Sequence, residues 1–211
     1  MKAEYYSHSG SDDMVADMAR VSFSKAASNY TPEQNEKLIR YLARNNHVTP
    51  FFHPSITLRM EAPVPIRTQC FKSKIGFAEN EESRRYIKST PKLFVPNEFR
   101  SAPEGSAKQG SGDTHPFSDS WKTTYEAVCG NAIWHYQKMI GAGIAPEQAR
   151  LILPQGVEVN WMWTGSLAAY ARFYKLREDS HAQKEVQDLA KEVADIIEPL
   201  YPISWKYLTE E

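Results

Sequence analysis

Between positions 69 and 86 the chain reads Gln-Cys-Phe-Lys-Ser-Lys-Ile-Gly-Phe-Ala-Glu-Asn-Glu-Glu-Ser-Arg-Arg-Tyr. Lysines, arginines, an amide and hydroxyls so close together suit a site for a phosphate beside a planar, hydrogen-bonding base. Cationic groups pair with phosphate oxygens, while amides read the edge of a ring. The same residues also suit a solvated, charged helix face, and periodicity does not choose between the two. A second polar cluster is Leu176-Arg177-Glu178-Asp179-Ser180-His181-Ala182-Gln183, where one helix should end and another begin. Asp179 and Ser180 are suited to cap a helix starting near His181. A Ser-His-Asp triad is excluded there, because adjacent residues cannot set a base between nucleophile and orienter, and no nucleophile elbow surrounds Ser180. His47, His53 and His181 are scattered, so no metal site is expected. With neither a GxGxxG nor a P-loop present, a dinucleotide must be held by another device.

These clusters need elements to position them. A short helix is expected over 12–21. Thr31-Pro32-Glu33-Gln34 supplies a cap, an N1 proline and a capping-box Gln for a helix from Pro32 to about Asn46 that buries Leu38, Ile39 and Leu42. Ile56, Leu58 and Met60 alternate with polar residues, the period of a half-buried strand over 55–61. A helix over 65–74 follows, then an irregular polar segment to Tyr86. The Gly-, Ser-, Lys- and Pro-rich stretch 101–116 reads as a flexible loop. A long helix begins near Ser118, with Trp121, Tyr125, Val128, Ala132, Tyr136, Met139 and Ile140 inward, and Gly141 and Gly143 end it. A short helix from Pro146 stops before Pro154. A second strand, with Val157, Val159, Trp161 and Trp163 inward, precedes helices over 164–176 and 181–197. The second of these buries Ala182, Val186, Leu189, Ala190, Val193 and Ile197. The expected class is α+β, helices packed around a small antiparallel sheet, in one domain spanning 1–211.

Composition narrows the partners. In 211 residues, 25 Lys and Arg balance 26 Asp and Glu, so no positive field exists to gather a nucleic-acid polymer. An apolar fraction of 41% suits a globular core. Cys70 and Cys129 are too few for a disulfide framework and read as reduced thiols of a cytoplasmic protein. No apolar run near the ~18 residues of a membrane span is present, and the N-terminus lacks a signal-like apolar region, so no membrane partner is expected.

Asn80-Glu81-Glu82-Ser83-Arg84-Arg85-Tyr86 resembles the latter half of the signature of the flavin-dependent thymidylate synthase family. Ala19-Arg20-Val21-Ser22-Phe23, His47-Val48-Thr49-Pro50-Phe51, Ala149-Arg150-Leu151-Ile152-Leu153-Pro154 and Leu176 through Gln183 resemble further segments of that family in the same order. The resemblance implies reductive methylation of dUMP to dTMP, with methylenetetrahydrofolate as carbon donor, FAD as hydride source and NAD(P)H regenerating reduced flavin. It also implies a homotetramer with shared active sites. By this similarity Gln69, Cys70, Phe71, Lys72, Glu81, Glu82, Ser83, Arg84, Arg85, Arg150 and Arg177 form the dUMP site, with Arg85 and Arg150 nearest the phosphate. Ser22, His47, Thr49, Lys72, Ser73, Lys74, Asn80, Glu81, Ser166, Leu167, Ala168, Arg172 and His181 contact FAD. Arg177 is the catalytic residue, facing uracil and stabilising its N3-deprotonated form, so no enzyme thiol is needed.

The chain departs from the family where Lys72-Ser73-Lys74 replaces Arg-His-Arg, one extra residue precedes Asn80, and Ala168 and Arg172 stand where asparagine and arginine contacts are usual. Two alternatives stay open at this level: a pyrimidine-nucleotide hydroxymethylase on the same fold, and a catalytically silent nucleotide-binding protein.

Overall fold

A computed structural model describes residues 1–103, 105 and 110–210. Its centre is a four-stranded antiparallel sheet of β1 (Lys2–Ser9), β2 (Ser55–Pro63), β3 (Phe77–Glu81) and β4 (Glu158–Ser166), in the order β1-β2-β4-β3. The alternation read in 55–61 and 157–163 is realised in the two central strands. Leu58 stands opposite Trp163 and Met60 opposite Trp161, and all four are buried. Burying bulky apolar side chains on one face fixes the register, since a one-residue slip would turn all of them to the other side.

Helices α1 (Asp12–Arg20), α2 (Pro32–Arg44), α3 (Val64–Cys70), α6 (Leu167–Glu178), α7 (Lys184–Ile197) and α8 (Pro202–Thr209) share the core with that face. The α2 start carries the expected reciprocal capping box, Gln34 N donating to Thr31 Oγ1 and Thr31 N to Gln34 Oε1. Helix α4 (Ser118–Gly141) and the short α5 (Pro146–Ala149) complete the set. Beyond α4, Gly143 adopts φ +86°, its N–H donating to Ile140 O and that of Ile144 to Met139 O. This Schellman arrangement is open to glycine without Cβ strain.

Several expectations are corrected. β1 and β3 carry no clear apolar alternation, because an edge strand need not bury a full face. The helix expected from Thr164 starts at Leu167, since 164–166 finish β4. The helix expected from His181 starts at Lys184 after Gln183, so Asp179 and Ser180 do not cap it. Asp179 Oδ1 instead accepts from the His181 backbone and pairs with its ring. Helix α8 is an addition. Helix α4 buries Ser118, Cys129, Ile133 and Tyr136, whereas Trp121, Val128 and Trp134 are more than half exposed. Of the loop expected over 101–116, residues 104 and 106–109 lie outside the described residues. The rest is closed by an antiparallel bridge between Arg100 and Thr114 and by Ser101 N donating to Asp113 O.

Among the described residues no helix is long and apolar enough to cross a membrane.

Candidate active site

Helix α6 lies between two cavities. Arg172 and Arg177 on it are five residues apart, so at 3.6 residues per turn they point roughly 140° from each other. Arg177 lines the first cavity and Arg172 the second.

The first cavity, about 850 Å³, is walled by α3, the end of α6, the turn into α7, the 94–100 segment and Tyr125 of α4. Gln69, Arg177, His181, Gln183 and Glu185 all line it. Arg177 Nη2 donates to the Gln69 carbonyl at 2.8 Å. Its Nε is buried without a hydrogen-bond partner among the described residues. The Gln69 side chain donates to Gln183 Oε1 at 2.7 Å, and Gln183 Nε2 donates to Glu185 Oε2 at 2.8 Å. Arg100, from the loop side, donates to Glu185 Oε1 at 2.5 Å. Burial pushes the Glu185 carboxyl up, but bonds from Arg100, the backbone and Gln183 outweigh it and hold the group below its ordinary value.

Beside this cavity, Arg67 Nε lies 2.8 Å from Glu81 Oε2, and its guanidinium stands 5.2 Å over the Phe71 ring. Phe71 is braced edge-on by Trp161 at 5.7 Å. Burial raises the Glu81 carboxyl, Arg67 pulls it back only in part, and Glu82 adds to the rise. Lys72, Ser73 and Lys74 turn away from α3, with Lys72 N donating to Gln69 O and Ser73 N to Cys70 O. Lys74 pairs with Glu79. The turn is pinned to α6 twice. Arg172 donates to Ile75 O, and Ser166 N donates to Gly76 O. A Cβ on Gly76 would sit 2.9 Å from Ala169 Cβ and 3.0 Å from Ser166 Oγ, so only glycine allows this approach at φ +81°.

The second cavity, about 840 Å³, lies between α2, α6, α8 and the 49–52 turn. Val48, Phe52, Ala168, Ala171 and Leu208 give it an apolar floor, and Arg44, Arg172 and Lys175 a cationic rim. His47 and Thr49 flank Val48 in the chain. This donor set fits a planar ring system carrying phosphates, as a flavin dinucleotide does.

The structure thus brings Gln69 and Arg177 together, with Phe71 and Glu81 joined through Arg67. His181, expected on the flavin side with Arg172, lines the Arg177 cavity instead. Two expected site residues are corrected to core. Cys70 and Leu167 are fully buried, and burial pushes the Cys70 thiol up to about 12, which makes it inert. The Ser166 hydroxyl is taken as the α6 cap, accepting from Ala169 N. Within this one chain, Arg85, Arg150 and Ser22 are exposed and line neither cavity. Ser83 and Arg84 serve the turn after β3, Arg84 donating to Ser89 O and Ser83 Oγ accepting from Arg85 N. Asn80 pairs with Met162 in the sheet, and Glu82 N donates to Asn160 O.

Sequence reasoning missed Arg67, Glu185 and Arg100. Arg67 was within reach, since on a helix it stands four residues before Phe71 and faces it. Arg100 had no signal, because its partner is 85 positions away.

The family model described as thymidylate synthase complementing protein matches residues 5–203. A flavin-dependent thymidylate synthase of Thermosipho africanus is 32% identical over 194 residues, covering 92% of this chain and 84% of that protein. The Thermotoga neapolitana protein of the same name is 31% identical over 203 residues, covering 94% and 85%. Among solved structures, the UMP/dUMP methylase PolB of Streptomyces cacaoi bound with 5-Br dUMP superposes with a TM-score of 0.88 at 27% identity, covering 99% of this chain and 94% of that one.

Proposed function

The chain belongs to the thymidylate synthase complementing protein family, and from that premise we propose that it is a flavin-dependent thymidylate synthase converting dUMP to dTMP. The observation that carries the site reading is Arg177, a lining residue of the first cavity whose Nη2 is anchored to the Gln69 carbonyl. A guanidinium stays charged throughout. It therefore favours a uracil ring that has lost its N3 proton, and that anionic ring is nucleophilic at C5 without help from a thiol. Lys72 supplies a cation for the phosphate, and Arg85 and Arg150 reach it from a neighbouring subunit.

In this reading the second cavity and the Lys72–Gly76 turn hold FAD, with Arg172 and Lys175 facing its phosphates. Bound flavin supplies the hydride that completes the methyl group, methylenetetrahydrofolate the carbon, and NAD(P)H the electrons that reduce flavin again. The protein works as one domain in the cytoplasm, as a homotetramer. The exposed Trp121 and Val128, seven residues apart, share one face of α4, and that apolar face suits subunit contact. Such contact would let Arg150, Ser22 and Arg85 complete a neighbour's site.

The test is to incubate the protein with dUMP, methylenetetrahydrofolate, FAD and NADPH and weigh the nucleotide product. UMP is run beside dUMP, because the structural relative is a methylase of both. A dTMP product is expected. A 5-hydroxymethyl product, or none with flavin bound, would overturn the proposal.

A further inference from the structure

Gln69, Gln183 and Glu185 form one hydrogen-bonded line along the wall of the first cavity, and its far end is clamped by Arg100. The direction of that line has a chemical cause. A carboxylate that is ionised can only accept hydrogen bonds. Glu185 is 8% exposed and gives Oε1 to Arg100 and Oε2 to Gln183. Gln183 must therefore turn its NH2 toward Glu185, which leaves its Oε1 toward Gln69. Gln69 must in turn point its NH2 at that oxygen. Flipping either amide would set two oxygens, or two NH2 groups, against each other at 2.7–2.8 Å. What remains of Gln69, one N–H and Oε1, is thus fixed in polarity beside Arg177.

This matters because a glutamine free to flip reads uracil and cytosine equally well. The two bases exchange an acceptor for a donor at ring position 4, a carbonyl in one and an amino group in the other. A 180° turn of an amide makes the same exchange. An amide held in one sense tells them apart.

We infer that Glu185, acting through Gln183, is a positioning residue that locks the Gln69 amide and makes the cavity select a pyrimidine nucleotide with a 4-carbonyl over one with a 4-amino group. The inference rests on the reading of the first cavity as the dUMP site. Arg100 belongs to the device as the cation that keeps Glu185 ionised and in place.

The experiment measures dUMP and dCMP affinity by calorimetry for the flavin-loaded wild-type protein and for Gln183→Leu, Glu185→Gln and Glu185→Asp. Leucine frees Gln69, and a glutamine at 185 must give its oxygen to Arg100, which turns its NH2 toward Gln183 and reverses the line. In both variants the preference for dUMP should fall by about tenfold or more, as expected when a site loses an obligatory polar match. Aspartate is still acceptor-only and should keep most of the preference. An unchanged preference in Gln183→Leu and Glu185→Gln, or in Gln183→Leu alone if the other fails to fold, overturns the inference. The lock has a second readout that needs no nucleotide: the side-chain amide protons of Gln69 should exchange with water faster in Gln183→Leu. Unchanged exchange also overturns it. A wild-type protein that binds neither nucleotide while this amide behaves as expected would refute the substrate reading and leave the lock standing.

Discussion

Replacing Arg67 by Met tests how the site keeps a half-buried carboxylate useful. The thioether chain keeps the stem's packing on Phe71 and removes only the charge. Arg67 Nε and Glu81 Oε2 are 2.8 Å apart, with side chains 23% and 26% exposed. That places the pair between solvent-exposed bridges, worth about 0.2–1 kcal/mol, and buried ones, whose one-sided loss costs about 3–5 kcal/mol. A loss of about 1–2 kcal/mol in folding stability is expected for Arg67→Met. In a double-mutant cycle with Glu81→Gln the coupling should be about 1 kcal/mol. The functional effect has a definite sign. Burial already holds Glu81 above its ordinary value of 4.5, and Arg67 opposes that rise. Without Arg67 the carboxyl moves further up and becomes protonated at a higher pH. If Glu81 accepts a hydrogen bond from bound nucleotide as an anion, the pH at which dUMP affinity falls on acidification should rise in the variant. Urea unfolding of the four proteins gives the coupling, and calorimetry over roughly pH 4 to 8 gives the limb. A coupling below about 0.3 kcal/mol with an unmoved acid limb would refute the pairing as a functional device.

Gly76→Ala should destabilise the fold by about 2–3 kcal/mol and weaken flavin binding, because a Cβ meets Ala169 and Ser166 and displaces the turn carrying Lys72 and Lys74. Thermal melts and flavin titration check both effects. Replacing Cys70 and Cys129 together by Ala should leave dTMP formation within about tenfold, or ~1.4 kcal/mol of barrier; loss of turnover in a folded, flavin-binding variant would show that a thiol acts. Ser73→His should change flavin or folate affinity while dUMP affinity stays within about threefold, a change of roughly 0.7 kcal/mol, and titration of each ligand decides it. Glu158 and Glu185 both sit below the ordinary 4.5, since burial raises them but bonds from Lys92 and the N-terminal amine, or from Arg100, outweigh it. Their stabilisation is present above that value and is lost as pH falls through their folded-state values. The urea midpoint should therefore drop as the solution is acidified below about pH 5, less steeply in Glu158→Gln.

Local chemistry made much of this protein legible without coordinates. The α2 capping box, the glycine that ends α4, the alternating apolar residues of β2 and β4 and the inward stripe of α7 each depend on neighbours within a turn or two. The ordered motifs that resemble one family pointed to the reaction for the same reason, since they are readable residue by residue. The edge strands β1 and β3 were not readable, because pairing on one side only places little demand on side-chain pattern. The buried side of α4 depends on what packs against it, and so Trp121 and Val128 turned outward. Cys70 lies inside a site motif, yet it faces the core because α3, about two turns long, packs that side against the sheet. The Arg67–Glu81 pair and the Arg100–Glu185–Gln183–Gln69 line join residues from separate elements. Side-chain identity supplies the donors and acceptors, but only the packed helices and sheet set them within 3 Å of each other, and that proximity turns polar residues into a site.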